Sequence, residues 1–170
     1  KATNNDTIII NFPIYGTFIK AAYEDGLIEG SFYDPGRSES YSIRFKAKHG
    51  RDHRFTQLKK EPLFDISGKW ETTFGIDKSE PYPAIGEFKQ VDNKLTGTFL
   101  TETGDYRFLE GTVQANKMYL SVFDGSHAFL FEGKLMEDGT MIGSFRSGSH
   151  YKTLWEAKRN PSVKLVHPDS

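Results

Sequence analysis

The sequence predicts an all-β protein in which an antiparallel up-and-down barrel follows a four-strand meander. The 170 residues include 14 Phe and 8 Tyr, an aromatic content typical of strand-rich proteins. Stretches of alternating apolar and polar residues, separated by turn residues, recur from one end of the chain to the other. Eight of them follow closely on one another in the second half, and closing them into a barrel leaves no exposed sheet edge.

The first part of the chain contains four predicted strands. The last of them places Ile43 and Phe45 on one face and Arg44 and Lys46 on the other. A strand has a period of two residues, so this alternation indicates one buried face and one face in water. The four predicted strands are Thr7–Phe12, Thr17–Tyr23, Leu27–Tyr33 and Tyr41–Ala47.

The alternating pattern stops over residues 48–66, a charged segment that contains Pro62. We interpret this segment as a linker or a crossover, with a short helical turn near Thr56–Lys60. The expected organisation is therefore a β-meander over residues 1–60, a barrel over 61–160 and a connector over 161–170. The pattern leaves open whether the meander is a separate unit or part of the same or a truncated barrel.

The regular part of the chain contains the eight barrel strands, joined by short turns such as Asp138–Gly139. The turn-and-strand units DGLIEGSF, NKLTGTF and DGTMIGSF form a weak repeat. Their glycines, Gly30, Gly97 and Gly143, predict close backbone approach within a barrel wall. The eight predicted strands are Ser67–Phe74, Ala84–Gln90, Lys94–Thr101, Arg107–Gln114, Lys117–Phe123, His127–Leu135, Thr140–Arg146 and Lys152–Lys158.

Composition excludes several kinds of function. The chain has no cysteine, which rules out a disulfide framework, a thiolate metal site, a CxxC redox centre and a cysteine nucleophile on this chain. Its net charge of −1 gives no driving force for binding a phosphate backbone, so no nucleic-acid partner is expected. The longest apolar run, at Ile8–Ile10, is far shorter than the ~20 residues that cross a bilayer. We expect no membrane span, and no motif predicts a cofactor.

Two histidines have the spacing of metal ligands. His49 and His53 lie four residues apart, as on one face of a helix. Gly50 and the Arg51–Asp52 pair argue against a stable helix there. No metal site is predicted.

Two polar clusters resemble catalytic loops. TETGDYRF offers Glu102 or Asp105, with Glu110 nearby, as a carboxylate pair of the kind that hydrolyses glycosides. FDGSHAFLF places Asp124 and His127 beside Ser126, but a triad needs convergence from separate parts of a fold. Turn chemistry explains both clusters, with Gly104 at one bend. We predict no catalytic residue and no enzyme, and keep a hydrolase as an alternative hypothesis.

The two tryptophans lie in the first and last barrel strands, which are neighbours in a closed barrel. Trp70 and Trp155 are therefore expected to help seal one end, with Arg159 stacked on an indole ring. Gly68-x-Trp70, Gly104–Asp105–Tyr106 and Arg159 resemble features of lipocalin-like barrels, although the lipocalin disulfides are missing. This resemblance implies a small apolar ligand. The predicted ligand-binding residues are Trp70, Tyr106, Arg107, Phe123, His127 and Trp155.

A longer resemblance covers most of the chain. GTFLTETGDYRFLEGTV, LSVFDGSHAFLFEGKL and GSFRSGSHYKTLWEAKRN resemble the N-terminal non-catalytic region of bacterial envelope thiol-disulfide oxidoreductases and thiol-specific antioxidant (peroxiredoxin-like) proteins. The tail KLVHPDS resembles the connector into their thioredoxin-like domain. The resemblance implies a covalently linked thioredoxin-like domain, a location in the bacterial envelope (periplasmic or surface-exposed) and an accessory role, such as docking a protein client. It carries over no catalytic residue.

Overall fold

In a computed structural model, the chain is described over residues 7–55 and 60–165. It divides into two compact units. The first contains residues 7–52 together with 123–127, and the second contains the rest of the described chain. Every helix or strand assigned in these residues is a strand, which confirms the all-β prediction. The helical turn predicted near residues 56–60 falls on residues 56–59, which lie outside the described part.

The first unit is a four-stranded antiparallel sheet in the order β1-β2-β3-β4. It is a sheet of its own, separate from the barrel. Turns with left-handed residues connect β1 to β2, at Gly16, and β2 to β3, at Asp25 and Gly26. The strands are β1 Thr7–Phe12, β2 Thr17–Glu24, β3 Leu27–Tyr33 and β4 Ser42–Lys48.

One face of this sheet is apolar, as the alternation predicts. Ile19, Ala21 and Phe32 are its buried residues. The loop 123–127 belongs to the same unit, where Phe123 meets Phe12 edge to face with ring centroids 5.4 Å apart. The side chains packed around the buried three are Phe12, Ile28, Tyr41, Ile43 and Phe45.

The second unit is a closed antiparallel barrel. Eight strands pair in the order β6-β5-β13-β12-β11-β10-β9-β7, and β6 pairs with β7 to close the ring. The observed strand ends lie within two residues of the predicted ones. The eight strands are β5 Gly68–Phe74, β6 Tyr82–Val91, β7 Lys94–Thr101, β9 Leu109–Gln114, β10 Lys117–Phe123, β11 Ala128–Leu135, β12 Thr140–Ser147 and β13 Tyr151–Arg159. The two-residue strand β8, Gly104–Asp105, pairs with the end of β7.

The barrel interior is filled by large side chains. Phe74, Phe99, Phe131 and Trp155 have no accessible surface, and Trp70 has almost none. Aromatic rings meet throughout this core, for example Phe99 with Phe131 at 4.8 Å between centroids. Fully burying one such side chain stabilises the fold by roughly 1.5–3 kcal/mol. The aromatic content of the sequence is therefore used mainly as core.

The first and last barrel strands are neighbours, as predicted, with Arg159 opposite Trp70. The Arg159 guanidinium lies 4.7 Å from the centre of the Trp70 ring. It also donates to the Ser67 carbonyl and, at 2.6 Å, to the Asp65 carbonyl. The stacking predicted for Arg159 is confirmed.

The repeated glycines do mark close backbone approach. A Cβ added at Gly97 would lie 2.2 Å from the Glu87 carbonyl oxygen, and one at Gly143 2.1 Å from that of Glu132. Gly30 is equally tight, but it lies in the four-stranded sheet, not in a barrel wall. The repeated glycines therefore mark positions, in both units, where the backbone of a neighbouring strand leaves no space for a side chain.

Candidate functional site

The mouth of the barrel where β6 begins and β7 ends is a candidate site in the second unit. β7 ends at Thr101, the chain turns through Glu102 and Thr103, and β8 then pairs back on β7. Tyr106 continues this pairing, since its N–H donates to the Phe99 carbonyl at 2.9 Å. The TETGDYRF segment is thus a hairpin turn whose returning arm directs Tyr106 to the core side.

A one-residue shift in register follows this turn. Tyr106 bonds to Phe99, whereas Leu109 lies opposite Gly97 on the same strand. The three steps from Tyr106 to Leu109 therefore lie opposite the two steps from Phe99 to Gly97. One extra residue on one of two paired strands defines a β-bulge. Phe108 takes up the extra length with a φ of 57° and an exposed fraction of 83%. Bulges of this kind re-aim side chains, and here Tyr106 points inward and Phe108 outward.

Two tyrosines form the floor of the mouth. Tyr82 stacks on Phe74 with ring centroids 5.5 Å apart, and Tyr106 meets Phe129 edge to face at 5.0 Å. The two phenol groups are near enough to affect each other's pKa. Burial raises the pKa of Tyr82, and the adjacent Tyr106 adds to this effect. Burial also raises the pKa of Tyr106 and outweighs the opposite effect of the nearby Tyr82 hydroxyl. Both hydroxyls are therefore neutral at physiological pH.

An open pocket of about 310 Å³ lies over these tyrosines. Its size is at the lower end of small-molecule sites. The rim carries a carboxylate and two hydroxyls, and the Thr101 hydroxyl donates to the Gly104 carbonyl at 2.8 Å. The lining residues are Tyr82, Pro83, Thr101, Glu102, Thr103 and Tyr106.

The six predicted ligand-binding residues do not converge on this pocket. Tyr106 lines it, and Arg107 lies on the same loop with its Nε 2.8 Å from Asp105 Oδ1. Trp70 and Trp155 are core residues of the barrel. The Trp70 indole donates to the Ile66 carbonyl at 2.8 Å, while the Trp155 indole N–H is buried with no partner among the described residues.

The other two predicted residues, Phe123 and His127, lie in the first unit. His127 Nδ1 is 3.1 Å from Asp124 Oδ2, and the N–H groups of Ser126 and His127 donate to Asp124 Oδ1. Burial acts to raise the pKa of Asp124, but these hydrogen bonds outweigh it and lower the pKa. The FDGSH segment has the hydrogen bonds of an aspartate-capped turn, as its composition suggested.

Two of the carboxylates of the hydrolase hypothesis have separate ion-pair partners. Asp105 pairs with Arg107, and Glu110 pairs with Lys94 at 3.2 Å. Glu102 lies on the rim of the mouth pocket. No hydrogen bond or ion pair in the described chain joins two of these three groups or brings a basic group to a shared cleft.

Tyr82 and Phe108 were missed by the sequence analysis. The predicted strand Ala84–Gln90 begins two residues after Tyr82, although Tyr82 continues the inward series Ala84, Gly86 and Phe88. That spacing could have extended β6. Phe108 was placed inside a regular strand, and no sequence signal marks its left-handed backbone.

Residues 7–55 and 60–165 contain no grouping of three His, Asp or Glu side chains that could hold a metal ion. Nor does this part of the chain form a helix with the length and apolar character that crossing a bilayer requires. No protein-family model matches the sequence. A search of curated proteins also found no match.

Proposed function

We propose that this chain is a non-catalytic docking module, the β-rich accessory part of a larger bacterial envelope thiol-disulfide oxidoreductase. The resemblance of three long segments to that group supports the redox parent. The observation that carries the docking role is the filled barrel. A barrel whose interior is occupied by its own side chains acts through its outer surface.

The packing of the core leaves almost no space for a ligand inside the barrel. Side chains with no accessible surface leave no space beside them even for a water molecule, and this holds for Phe74, Phe99, Phe131 and Trp155. A crevice near Ile66 and Met141 measures about 10 Å³, room for one water. A ligand in this interior has to displace core side chains. Truncating one buried aromatic side chain to alanine costs about 3–5 kcal/mol, so we expect such displacement to be unfavourable.

The outer surface offers a suitable anchor at the mouth. Phe108 exposes a whole aromatic ring beside the ion pair of Arg107 and Asp105. Aromatic and arginine side chains dominate the binding energy of protein interfaces. We therefore assign the loop 102–108 as the docking surface for a protein client.

The test begins with the reading frame that encodes the chain and its flanks. A downstream thioredoxin-like segment with cysteines is expected, and its absence overturns the redox parent. In that full-length protein, Phe108→Ser is expected to slow reduction of a folded client disulfide by about tenfold, the loss of one interface anchor. Reduction of glutathione disulfide is expected to be unchanged, because a small substrate needs no docking.

Ile142→Ser is the matched control, since Ile142 is also an exposed apolar residue of the barrel. Its client reduction is expected to stay at the wild-type rate. Equal losses for both variants, or an equal loss on glutathione disulfide, contradict docking through the 102–108 loop.

A second candidate function is the binding of a small apolar ligand, and the tyrosine-floored mouth pocket favours it. A ligand there stacks on Tyr82 and Tyr106 without displacing the core. Titration with a lipophile panel, followed by NMR of the mouth residues, tests this. Saturable shifts that Tyr106→Ala removes and Tyr119→Ala preserves support it. No shift with any lipophile rejects it.

A further inference from the structure

The two edges of the four-stranded sheet differ sharply in charge. The sheet ends at β1 on one side and at β4 on the other. Along β4, Arg44, Lys46 and Lys48 occupy alternate positions, and Lys46 pairs with Glu29 at 3.4 Å. Strand edges lined with lysine or arginine resist pairing with another chain, so β4 is a protected edge.

β1 has none of these protections. Its sequence, TIIINF, contains no charge, no glycine and no proline. Ile9 is 56% exposed and Ile10 40% exposed. Within the described residues β1 pairs only with β2, so its outer row of N–H and C=O groups has no strand partner. An uncharged, β-branched edge of this kind is a template for strand addition.

We propose that β1 pairs with β1 of a second copy of this chain, in antiparallel orientation about a twofold axis. Charge favours this partner. Two uncharged β1 strands meet without repulsion, whereas two β4 strands would bring three cations against three. A twofold contact also closes on itself, because each copy uses the same patch.

The faces of the sheet fix the register. Ile8 and Ile10 lie on the same face as Ala21 and Ile19, the buried residues opposite them in β2. To continue that apolar face across the axis, even-numbered residues must oppose even-numbered ones. Ile9 facing Ile9 of the second copy, with Ile8 facing Ile10, satisfies this condition and yields one continuous eight-stranded sheet.

The first unit gains core residues from this pairing. Ile19, Ala21 and Phe32 are buried in the single copy, while Ile8 is partly exposed and Ile10 is 40% exposed. Pairing places the Ile8 and Ile10 side chains of the two copies side by side, and cross-strand pairs of this kind each stabilise a sheet modestly. A single six-residue strand pair buries less than a standard interface, so a dimer that dissociates on dilution is expected.

Sedimentation velocity of the 170-residue chain, with no N-terminal tag and from micromolar to millimolar concentration, tests the proposal. A monomer–dimer equilibrium is expected. Ile9→Lys, which sets two lysines opposite each other on the wet face, is expected to raise the dissociation constant by about tenfold or more. Asn11→Lys, at an exposed position on the same face of β1, serves as a second variant if Ile9→Lys does not fold.

Ile14→Lys is the matched control, because Ile14 is 92% exposed in the turn that follows β1. It makes the same chemical change away from the edge and is expected to leave the dissociation constant unchanged. Amide exchange adds a second readout, with β1 amides slowing as concentration rises and β4 amides unaffected. A monomer at all concentrations, equal weakening by Ile14→Lys, or protection of β4 instead of β1 overturns the proposal.

Discussion

Phe108 combines an unfavourable backbone conformation with a side chain that contributes little to the core. Its φ is 57° and its ring is 83% exposed. A bulky residue in the left-handed region is strained by about 1 kcal/mol or more, whereas glycine adopts it freely. We predict that Phe108→Gly raises the melting temperature by about 2–4 °C while it weakens client docking.

Scanning calorimetry measures the expected rise in melting temperature, and the client assay measures the expected loss of docking. Phe129→Gly, at a partly buried ring of the mouth, is a useful contrast because its loss lowers stability. A Phe108→Gly chain that melts lower than wild type contradicts the strain argument.

Asp77 links the loop after β5 to the last strand, β13, by hydrogen bonds. Its Oδ1 accepts the Leu154 N–H at 2.8 Å and the Thr153 hydroxyl at 2.5 Å. The Leu154 bond, followed by the Thr153 bond, lowers the pKa of Asp77 to about 2. A lowered pKa means that the ionised form stabilises the fold. This stabilisation is complete above the ordinary value of 3.8 and is lost as pH falls towards 2.

Melting temperatures from pH 7 to pH 2 test the role of Asp77. Asp77→Asn is expected to melt lower than wild type at pH 7 and to show a smaller fall between pH 4 and pH 2. Glu102→Gln removes the same charge at an exposed site and serves as the control. An Asp77→Asn profile that parallels wild type across the whole range refutes the assignment.

Arg159 links β13, the last barrel strand, to β5, the first, and we call this contact the seam. It stacks on Trp70 and donates to two carbonyls at once. A lysine cannot provide this planar fork. Arg159→Lys is expected to cost about 1–2 kcal/mol in urea unfolding, and Arg146→Lys at an exposed position of β12 is expected to cost close to nothing. Equal stability of the two variants contradicts a specific role for the seam.

At the scale of elements, the packing of strand β12 requires a residue without a side chain at Gly143. Gly143 lies between Gly133 on β11 and Trp155 on β13. The Trp155 indole lies over both glycines, and a Cβ at Gly143 would approach it to 2.4 Å. The glycines therefore provide the space for the largest side chain in the core.

Gly143→Ala forces that indole or the Glu132 carbonyl to move. We predict a loss of about 2 kcal/mol or more, the usual cost of overpacking, measured by urea unfolding with tryptophan fluorescence. Ile142→Ala, on the outer face of the same strand, is expected to change stability by less than about 0.5 kcal/mol. A Gly143→Ala chain as stable as wild type shows that the barrel yields more easily than its packing implies.

At the scale of the whole molecule, the two units have cores of unequal size. The barrel buries a continuous aromatic cluster, whereas the four-stranded sheet buries Ile19, Ala21 and Phe32. Protection from local opening follows buried apolar contact. Amides of β12 and β13 are therefore expected to exchange more slowly than those of β2 and β3 in hydrogen exchange. Equal protection in both units contradicts this ranking.

Most of the fold could be predicted because a barrel wall is strictly periodic. Strands such as β7 alternate Leu95, Gly97 and Phe99 inward, and their turns carry residues that accept left-handed backbone. The pattern fails where the period changes. At Arg107 and Phe108 one extra residue shifts the register, so a regular extension of β9 places Tyr106 outside, whereas it lies inside.

The candidate site was less predictable for the same reason. Sequence pattern shows that Trp70 and Trp155 are inward, but inward residues of a filled barrel belong to the core. The mouth pocket depends on Tyr82 and Tyr106, which lie in segments that are distant in sequence and meet only through the pairing of β6 with β7. No local motif encodes that meeting.

The pairing of β5 with β13 has a consequence for how the barrel fits into a longer polypeptide. Asn160 N–H donates to the Lys69 carbonyl at 3.0 Å, so the chain enters and leaves the barrel at neighbouring points. We therefore expect the barrel to tolerate circular permutation at this point. A short linker across this point, with new ends opened at the exposed Asp138–Gly139 turn, preserves every strand pair.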